Sequence, residues 1–147
     1  MKRFPSTGLL TLALLALLTS LSSCASSQTV ASAADISGEW DIVQMDEKAI
    51  VPAPGQTFPY LGLDASTGRV WGNSGCNLLT GTATIDVASG HIDLSQLGST
   101  RMLCPDMTVE EQVLQALGEV SKFRLLDDGC LLLYDGSKKK GMVLRKR

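Results

Sequence analysis

Residues 72–77 read Gly-Asn-Ser-Gly-Cys-Asn, and Gly81 follows shortly after them. Glycine adopts positive φ angles without steric penalty, and asparagine side chains can hydrogen-bond to nearby backbone groups. This density of both residue types indicates a tight turn between two strands. It is not a phosphate-binding P-loop, because no Gly-Lys-Ser/Thr sequence follows. We interpret the segment as a self-bonded structural crossover, with a ligand-binding loop as the alternative.

Short segments of strand-like sequence flank this turn on both sides. Hydrophobic alternation and turn residues predict strands at 38–45, 49–51, 60–64, 69–72, 82–87, 91–94, 122–126, 130–134 and 142–145. Turn sequences at 65–68, 88–90 and 135–140 join neighbouring strands into hairpins. Residues 127–129 (Asp-Asp-Gly) form another turn, and the paired carboxylates are interpreted as turn residues and not as an acid/base couple.

One amphipathic helix interrupts the strands. Residues 108–111 match a capping box, in which Thr108 caps the helix and Glu111 reaches back. Four aliphatic residues recur at helical spacing and predict one apolar stripe against the sheet: Val109, Val113, Leu117 and Val120. The predicted fold class is therefore α+β, a small antiparallel β-rich, partly closed barrel-like sheet with one amphipathic helix packed on it.

Residues 1–23 have the features of a lipoprotein signal peptide. Lys2 and Arg3 form a positive n-region, and residues 9–18 form an apolar run. This run is too short to span a bilayer, which needs about 20 residues. Leu21-Ser22-Ser23-Cys24 matches a lipobox, which predicts cleavage before Cys24 and its acylation, with palmitate among the chains attached.

Two alternatives to lipobox cleavage remain. Residues 31–33 (Ala-Ser-Ala) match an ordinary signal peptidase site, although they lie far beyond the apolar run, and the signal peptide could also be retained as an anchor. With lipobox cleavage, residues 24–35 form a flexible tether and residues 36–147 the folded domain. Ala25 follows the acylated cysteine where an aspartate would favour the inner membrane, so we expect the bacterial outer membrane.

The charge balance argues against nucleic-acid binding. Loss of Lys2 and Arg3 with the signal peptide leaves 11 of the 13 basic residues against 15 acidic ones, a net charge of −4. Nonspecific nucleic-acid binding needs a basic face. The clusters at 138–140 and 145–147 are interpreted as a charged turn and a charged chain end, with contact to anionic lipid as the alternative.

Two separated motifs together resemble the META/HslJ domain family. The first is residues 72–81, centred on Gly75-Cys76-Asn77, and the second is residues 100–104, Thr-Arg-Met-Leu-Cys. Gly38-x-Trp40, the helix after the second motif and the final hairpin occur in matching order, so the resemblance covers about residues 36–147. Ala83 departs from the pattern, because an aromatic residue is expected after Gly81.

The resemblance implies a small barrel-like domain, often carried by bacterial envelope lipoproteins. It also implies an association with heat-shock expression and novobiocin resistance, with no established catalytic activity. Gly75, Asn77 and Arg101 are the candidate binding or structural loop residues, and a surface position or a structural ion pair is the alternative for Arg101.

The remaining cysteines favour one disulfide. With Cys24 acylated, an exported chain is expected to pair two of the other three, and Cys76–Cys104 is favoured because both lie in irregular segments. Pairing with Cys130 is the alternative, and Cys130 otherwise serves as a buried small hydrophobe. A zinc site from these three cysteines and His91, or a Cys76–His91 nucleophile pair, lacks the expected spacing or supporting residues.

The favoured function is that of a noncatalytic, lipid-anchored bacterial envelope protein that supports stress tolerance by binding a protein or small molecule. No cofactor or metal is expected, and the membrane is contacted through the N-terminal lipid. A lipocalin-like carrier of an apolar ligand is the alternative, for which Gly38-x-Trp40 is the cue. An enzyme is the least favoured class.

Overall fold

The computed structural model describes residues 31–137 and 141–147. Its elements in chain order are α1 (Ala33–Ile36), β1 (Gly38–Met45), β2 (Lys48–Ala49), β3 (Tyr60–Asp64), β4 (Arg69–Asn73), β5 (Leu78–Asp86), β6 (His91–Ser99), α2 (Thr108–Glu119), β7 (Lys122–Leu125), β8 (Leu131–Tyr134) and β9 (Gly141–Lys146). The predicted signal peptide, Cys24, most of the tether and the lysines at 138–140 lie outside the described residues. No helix in the described ranges is long and apolar enough to cross a membrane.

The N-terminal boundary differs from the prediction. The predicted tether extends to Asp35, but its last residues form the helical turn α1. Ser32 caps this turn, because its side chain accepts a hydrogen bond from the Asp35 N–H while the Asp35 carboxylate accepts one from the Ser32 N–H. Ile36 then packs into the core, 1% exposed. The ordered part of the chain therefore includes residues assigned to the tether.

Eight of the strands form a closed antiparallel barrel. They pair in the order β1-β3-β4-β5-β6-β7-β8-β9, and β9 pairs back with β1. The short strand β2 lies outside this ring and pairs with the end of β1. The predicted α+β class with one amphipathic helix on a curled antiparallel sheet is confirmed, and the sheet closes fully.

Helix α2 lies in the connection between β6 and β7, the two neighbouring barrel strands that share the fewest paired residues. β6 and β7 share a single register pair, His91 with Lys122. On α2, Val113 and Leu117 are buried, and Val120 at the end of the helix is buried as well. Val109 is half-buried against the same core. The predicted apolar stripe is therefore confirmed, and it completes the core beside this junction.

The predicted capping box at the start of α2 is wrong. Thr108 is the first helical residue, Met107 occupies the cap position, and no side chain caps from there. The Asp106 carboxylate instead accepts a hydrogen bond from the Thr108 N–H at 2.8 Å. This bond lowers the pKa of Asp106, because it stabilises the charged form. The Asp106 carboxylate thus satisfies the Thr108 N–H, a donor that the capping-box pattern assigned to the Glu111 side chain.

Core side chains fill the interior of the barrel. Alternate residues of the strands point inward and are almost fully buried: Trp40, Ile42, Leu61, Leu63, Val70, Ile92, Leu131, Leu133, Met142 and Leu144. Trp40 also donates its indole N–H to the Ile36 carbonyl at 3.0 Å, so its polar atom is satisfied inside the core. A packed interior of this kind disfavours the carrier alternative, which requires an internal cavity.

The two ends of the barrel differ in character. Because successive strands are antiparallel, their connections alternate between the ends. One end holds α1, short turns and the chain's last residue; we call it the N-terminal end. The other holds the β1–β2 turn, residues 50–59 and 74–77, and the long connection 100–121 that contains α2; we call it the loop end. Most irregular backbone therefore lies opposite to α1.

The β3–β4 turn at the N-terminal end provides a pH-sensitive contact. The Asp64 carboxylate accepts hydrogen bonds from the Ser66 hydroxyl (2.6 Å) and from the backbone N–H groups of Ser66 (3.0 Å) and Thr67 (3.3 Å). These bonds, with those from Ser66 the largest contribution, lower the pKa of Asp64 from 3.8 to about 2. This contact stabilises the folded state fully at pH values above the pKa that Asp64 has in the unfolded chain. The stabilisation is lost as the pH falls towards 2, where the carboxylate becomes protonated in the folded state.

We expect the Asp64 carboxyl carbon to titrate near pH 2 in an NMR experiment. Ser66→Ala should move this midpoint upward, towards the ordinary value for aspartate, because it removes the strongest donor. Ser89→Ala is the matched control, since Ser89 makes the equivalent contact to Asp86 in the β5–β6 turn at 2.6 Å. An Asp64 midpoint that is insensitive to Ser66→Ala would contradict the assignment.

Candidate functional site

A disulfide joins two irregular segments at the loop end. Cys76 in the β4–β5 turn bonds to Cys104 in the segment before α2, with Cα atoms 6.1 Å apart. The favoured pairing is thus present, and Cys130 keeps a free, half-buried thiol whose pKa is raised mainly by burial. With both sulfurs bonded, neither the zinc set with His91 nor the Cys76–His91 nucleophile pair can form.

The carboxylate of Glu110 lies at the centre of the same region. This α2 side chain is only 4% exposed. Its Oε2 atom accepts hydrogen bonds from the Ser74 hydroxyl (3.0 Å) and the N–H groups of Cys76 (3.1 Å) and Asn77 (2.7 Å). Neither ion pair in the described part of the chain includes Glu110. Its charge is therefore compensated by hydrogen-bond donors, which ties α2 to the β4–β5 turn.

The Asn77 side chain extends this network to the second motif. Its Nδ2 atom donates to Glu110 Oε1 (2.6 Å) and to the Met102 carbonyl (3.1 Å). Its Oδ1 atom accepts from the Thr100 hydroxyl (2.7 Å) and the Met102 N–H (2.6 Å). Every hydrogen-bonding position of the amide is therefore used, and Asn77 joins α2, the β4–β5 turn and the segment after β6.

Gly75 supplies the backbone geometry that the turn needs. Its φ is 120°, a conformation that residues with a side chain rarely adopt. Its N–H donates to the Asn73 side chain at 2.7 Å, as expected of an asparagine that bonds its own turn. A Cβ atom here would lie 3.5 Å from Val109 of α2, an ordinary van der Waals contact. The positive φ, and not a lack of space beside the helix, is therefore what requires glycine at position 75.

The candidate loop residues separate into two groups. Gly75 and Asn77 lie inside the network around Glu110, where their contacts are those of a structural crossover. Arg101 is exposed, and no ion pair in the described part of the chain involves it. It lies in the connecting segment beside Met102 and Leu103, which are 55% and 92% exposed. The network therefore brings together two of the three predicted residues.

Glu110 is the central residue that the sequence analysis missed. The capping-box interpretation included it only as part of a pattern and gave it no role of its own. A signal was present, because Glu110, Val113 and Leu117 follow i, i+3, i+7 spacing and so share one helix face. An acidic residue on a buried face needs hydrogen-bond donors nearby, and the Ser-Gly-Cys-Asn turn supplies them.

Other residues considered for chemistry have structural contacts. His91 begins β6 and pairs with Lys122 of β7 at the barrel junction. Asp128 accepts a hydrogen bond from the Cys130 N–H at 2.9 Å, as expected for a turn residue. Ala83, where the family pattern led us to expect an aromatic, lies at a register irregularity of β5.

A groove opens at the loop end of the barrel, apart from the Glu110 network. It has a volume of about 410 Å³ and lies between β2 and α2. We call it the β2–α2 groove. Its apolar lining residues are Met45, Ala49, Ile50, Val51, Val109, Ala116, Val120 and Met142. Polar side chains such as Gln112 and Gln115 line the helix side. A volume and lining of this kind suit a ligand or a peptide segment.

Comparison with protein families identifies the chain. The META domain model matches residues 33–147, which includes both motifs and all the strands. The chain belongs to the META domain family. The family predicted from the two motifs is therefore confirmed, and the match begins at the same residue as α1. No curated protein matches this META domain chain.

Two solved structures share the fold of this META domain. A protein from Burkholderia xenovorans, solved by NMR, has a TM-score of 0.56 at 20% identity, covering 75% of this chain and 81% of its own. A DUF4847 family protein from Bacteroides vulgatus, solved by crystallography, has a TM-score of 0.52 at 18% identity, covering 76% of this chain and 93% of its own. At these identities, the similarity concerns the fold alone.

Proposed function

We propose that this protein is a noncatalytic, lipid-anchored component of the bacterial cell envelope that supports stress tolerance by binding a protein or small molecule. Cys24 carries the lipid, residues 25–30 form the tether, and the META domain projects from the membrane, which we propose is the outer membrane. The META/HslJ resemblance is the source of the stress role.

The Cys76–Cys104 disulfide is the observation that carries the proposal. Disulfides of this kind persist in oxidising compartments and are rare in the bacterial cytosol. This bond therefore supports export, for which residues 1–23 provide the signal. It also supports lipidation of Cys24, because the two cysteines of the turn region are bonded to each other and Cys130 lies within the barrel sequence.

The contacts of the chemically capable groups support a binding role over catalysis. Catalytic nucleophiles and bases need a free reactive atom within reach of substrate. The sulfurs of Cys76 and Cys104 are bonded, and both carboxylate oxygens of Glu110 accept hydrogen bonds from the protein. These bonds cross-link α2, the β4–β5 turn and the segment after β6, which suits a surface that recognises a partner.

Cys24→Ser tests the anchor. We expect it to move the protein from the membrane to the soluble fraction and to remove the acyl mass from the mature chain, because more than one acyl chain is needed for stable anchoring. Cell fractionation and intact-mass measurement would show both effects. Cys130→Ser is the matched control and should stay in the membrane fraction. Unchanged fractionation of Cys24→Ser would refute lipid anchoring at this residue.

A further inference from the structure

The outer edge of β2 has backbone groups that the barrel does not use. Asp46 and Glu47, with φ angles of 45° and 66°, form a two-residue hairpin turn between β1 and β2. The Ile50 N–H donates to the Val43 carbonyl at 3.0 Å. Because bonded residues alternate along an antiparallel pair, the N–H and C=O of Ala49 point away from β1. β2 therefore presents a short free strand edge.

This edge forms one wall of the β2–α2 groove. The opposite wall is α2, with the exposed side chains of Gln112 and Gln115, and Ile50, Val120 and Met142 contribute apolar surface between the walls. A groove between a strand edge and a helix can accept an extended peptide, which bonds to the edge through its backbone and places alternate side chains in the groove. The arrangement fits this mode better than it fits a small molecule, which would leave the Ala49 groups unused.

The proposed anchoring at Cys24 directs the chain's own N-terminus away from this groove. The domain begins at the N-terminal end, where Ala31 packs on the core, whereas the groove lies at the loop end. The seven mature residues before Ala31, 24–30, span at most about 25 Å when fully extended. With Cys24 held in the membrane, the residues between it and Ala31 cannot also fold back along β1, which is itself about 24 Å long. A partner molecule is therefore the occupant that fits the groove.

We propose that the β2–α2 groove binds an extended segment of another polypeptide, which adds to β2 as a further strand. The segment pairs with Ala49 and buries alternate apolar side chains against Ile50, Val120 and Met142. This inference rests on the proposed cleavage and anchoring at Cys24 only where it excludes the chain's own N-terminus. The proposal limits the class of partner to exported proteins that expose a flexible apolar segment.

The first test selects binders from random heptapeptides displayed on phage, using the purified full chain in detergent. The selected peptides are then synthesised, and their Kd values are measured by fluorescence anisotropy. We expect Gln112→Trp, which places a bulky side chain in the groove, to weaken binding by roughly tenfold or more. Glu111→Trp is the matched control, because the neighbouring exposed residue does not line the groove, and it should leave the Kd unchanged.

The second test separates strand addition from burial of side chains alone. N-methylation removes a donor, and only alternate peptide N–H groups face the protein edge in an added strand. We therefore expect methylation of one alternating set to abolish binding and methylation of the other set to have little effect. Ala49→Pro should also abolish binding, because it removes the outward donor while the Ile50–Val43 bond of the hairpin remains.

Three outcomes would overturn the proposal. The first is a selection that enriches no peptide over the Gln112→Trp variant. The second is equal tolerance of both methylated sets, which would assign the groove to an apolar small molecule. The third is a dimer in analytical ultracentrifugation that Gln112→Trp dissociates, which would assign the groove to a second copy. Each of these three results is independent of the Cys24→Ser fractionation. A failure of the peptide-binding proposal can therefore be distinguished from a failure of the proposed lipid anchoring.

Discussion

Glu110→Ala should lower the free energy of unfolding by about 3–5 kcal/mol and the melting temperature by roughly 10–20 °C. The substitution removes an acceptor of four hydrogen bonds inside the protein. Hydrogen bonds to a charged group contribute about 1.5–3 kcal/mol each in isolation, and donors left buried without a partner add a desolvation cost. Among the described residues, the N–H groups of Cys76 and Asn77 donate to this carboxylate and to no other acceptor.

Two comparison variants separate the loss of the buried Glu110 contacts from the loss of an acidic side chain on the helix. Glu111→Ala removes the next acidic residue of the same helix turn, which is exposed, and should change stability by less than about 0.5 kcal/mol. Glu110→Gln keeps the volume, but its amide nitrogen cannot accept from Asn77 Nδ2, so an intermediate loss is expected. Thermal and urea unfolding would measure all three. A Glu110→Ala loss no larger than that of Glu111→Ala would mean that water replaces the carboxylate.

The strands and turns of this barrel are largely predictable because their signals are local. Alternating apolar residues and Gly- or Asp-containing turns locate β1, β3, β4, β8 and β9 within one or two residues. The β5–β6 hairpin is longer than predicted, since β5 begins at Leu78 and β6 continues to Ser99. Residues 95–99 read Ser-Gln-Leu-Gly-Ser, which has weak strand preference, and only their pairing with β5 makes them a strand.

The candidate site was predictable in its parts but not in its centre. Gly75, Cys76 and Asn77 can be picked out from the sequence, because glycine and asparagine allow unusual backbone conformations and cysteine can form a disulfide. Glu110, which accepts hydrogen bonds from both Cys76 and Asn77, lies 34 residues from Cys76 in sequence, and charged residues on helices are usually solvent-exposed. Barrel closure brings α2 against the β4–β5 turn, and this non-local contact determines which of its acidic residues is buried.

The second large effect concerns the disulfide. Replacing both Cys76 and Cys104 by alanine should lower the free energy of unfolding by about 3 kcal/mol under oxidising conditions. The bond closes a loop with a sequence separation of 28, for which the chain-entropy model gives about 3.6 kcal/mol through restriction of the unfolded chain. Both cysteines are replaced because a single substitution would leave a thiol able to pair with Cys130.

The physical origin of this stabilisation can be tested by repeating the measurement in reductant. If the bond acts on the unfolded chain, reduced wild type should match the double variant, and the double variant should be insensitive to reductant. Cys130→Ala is the control and should keep the full redox dependence. A double variant well below reduced wild type would show instead that the sulfurs act by packing, since Cys76 is 7% exposed. The network around Glu110 and Asn77 does not depend on sulfur, so we expect the reduced domain to keep its fold.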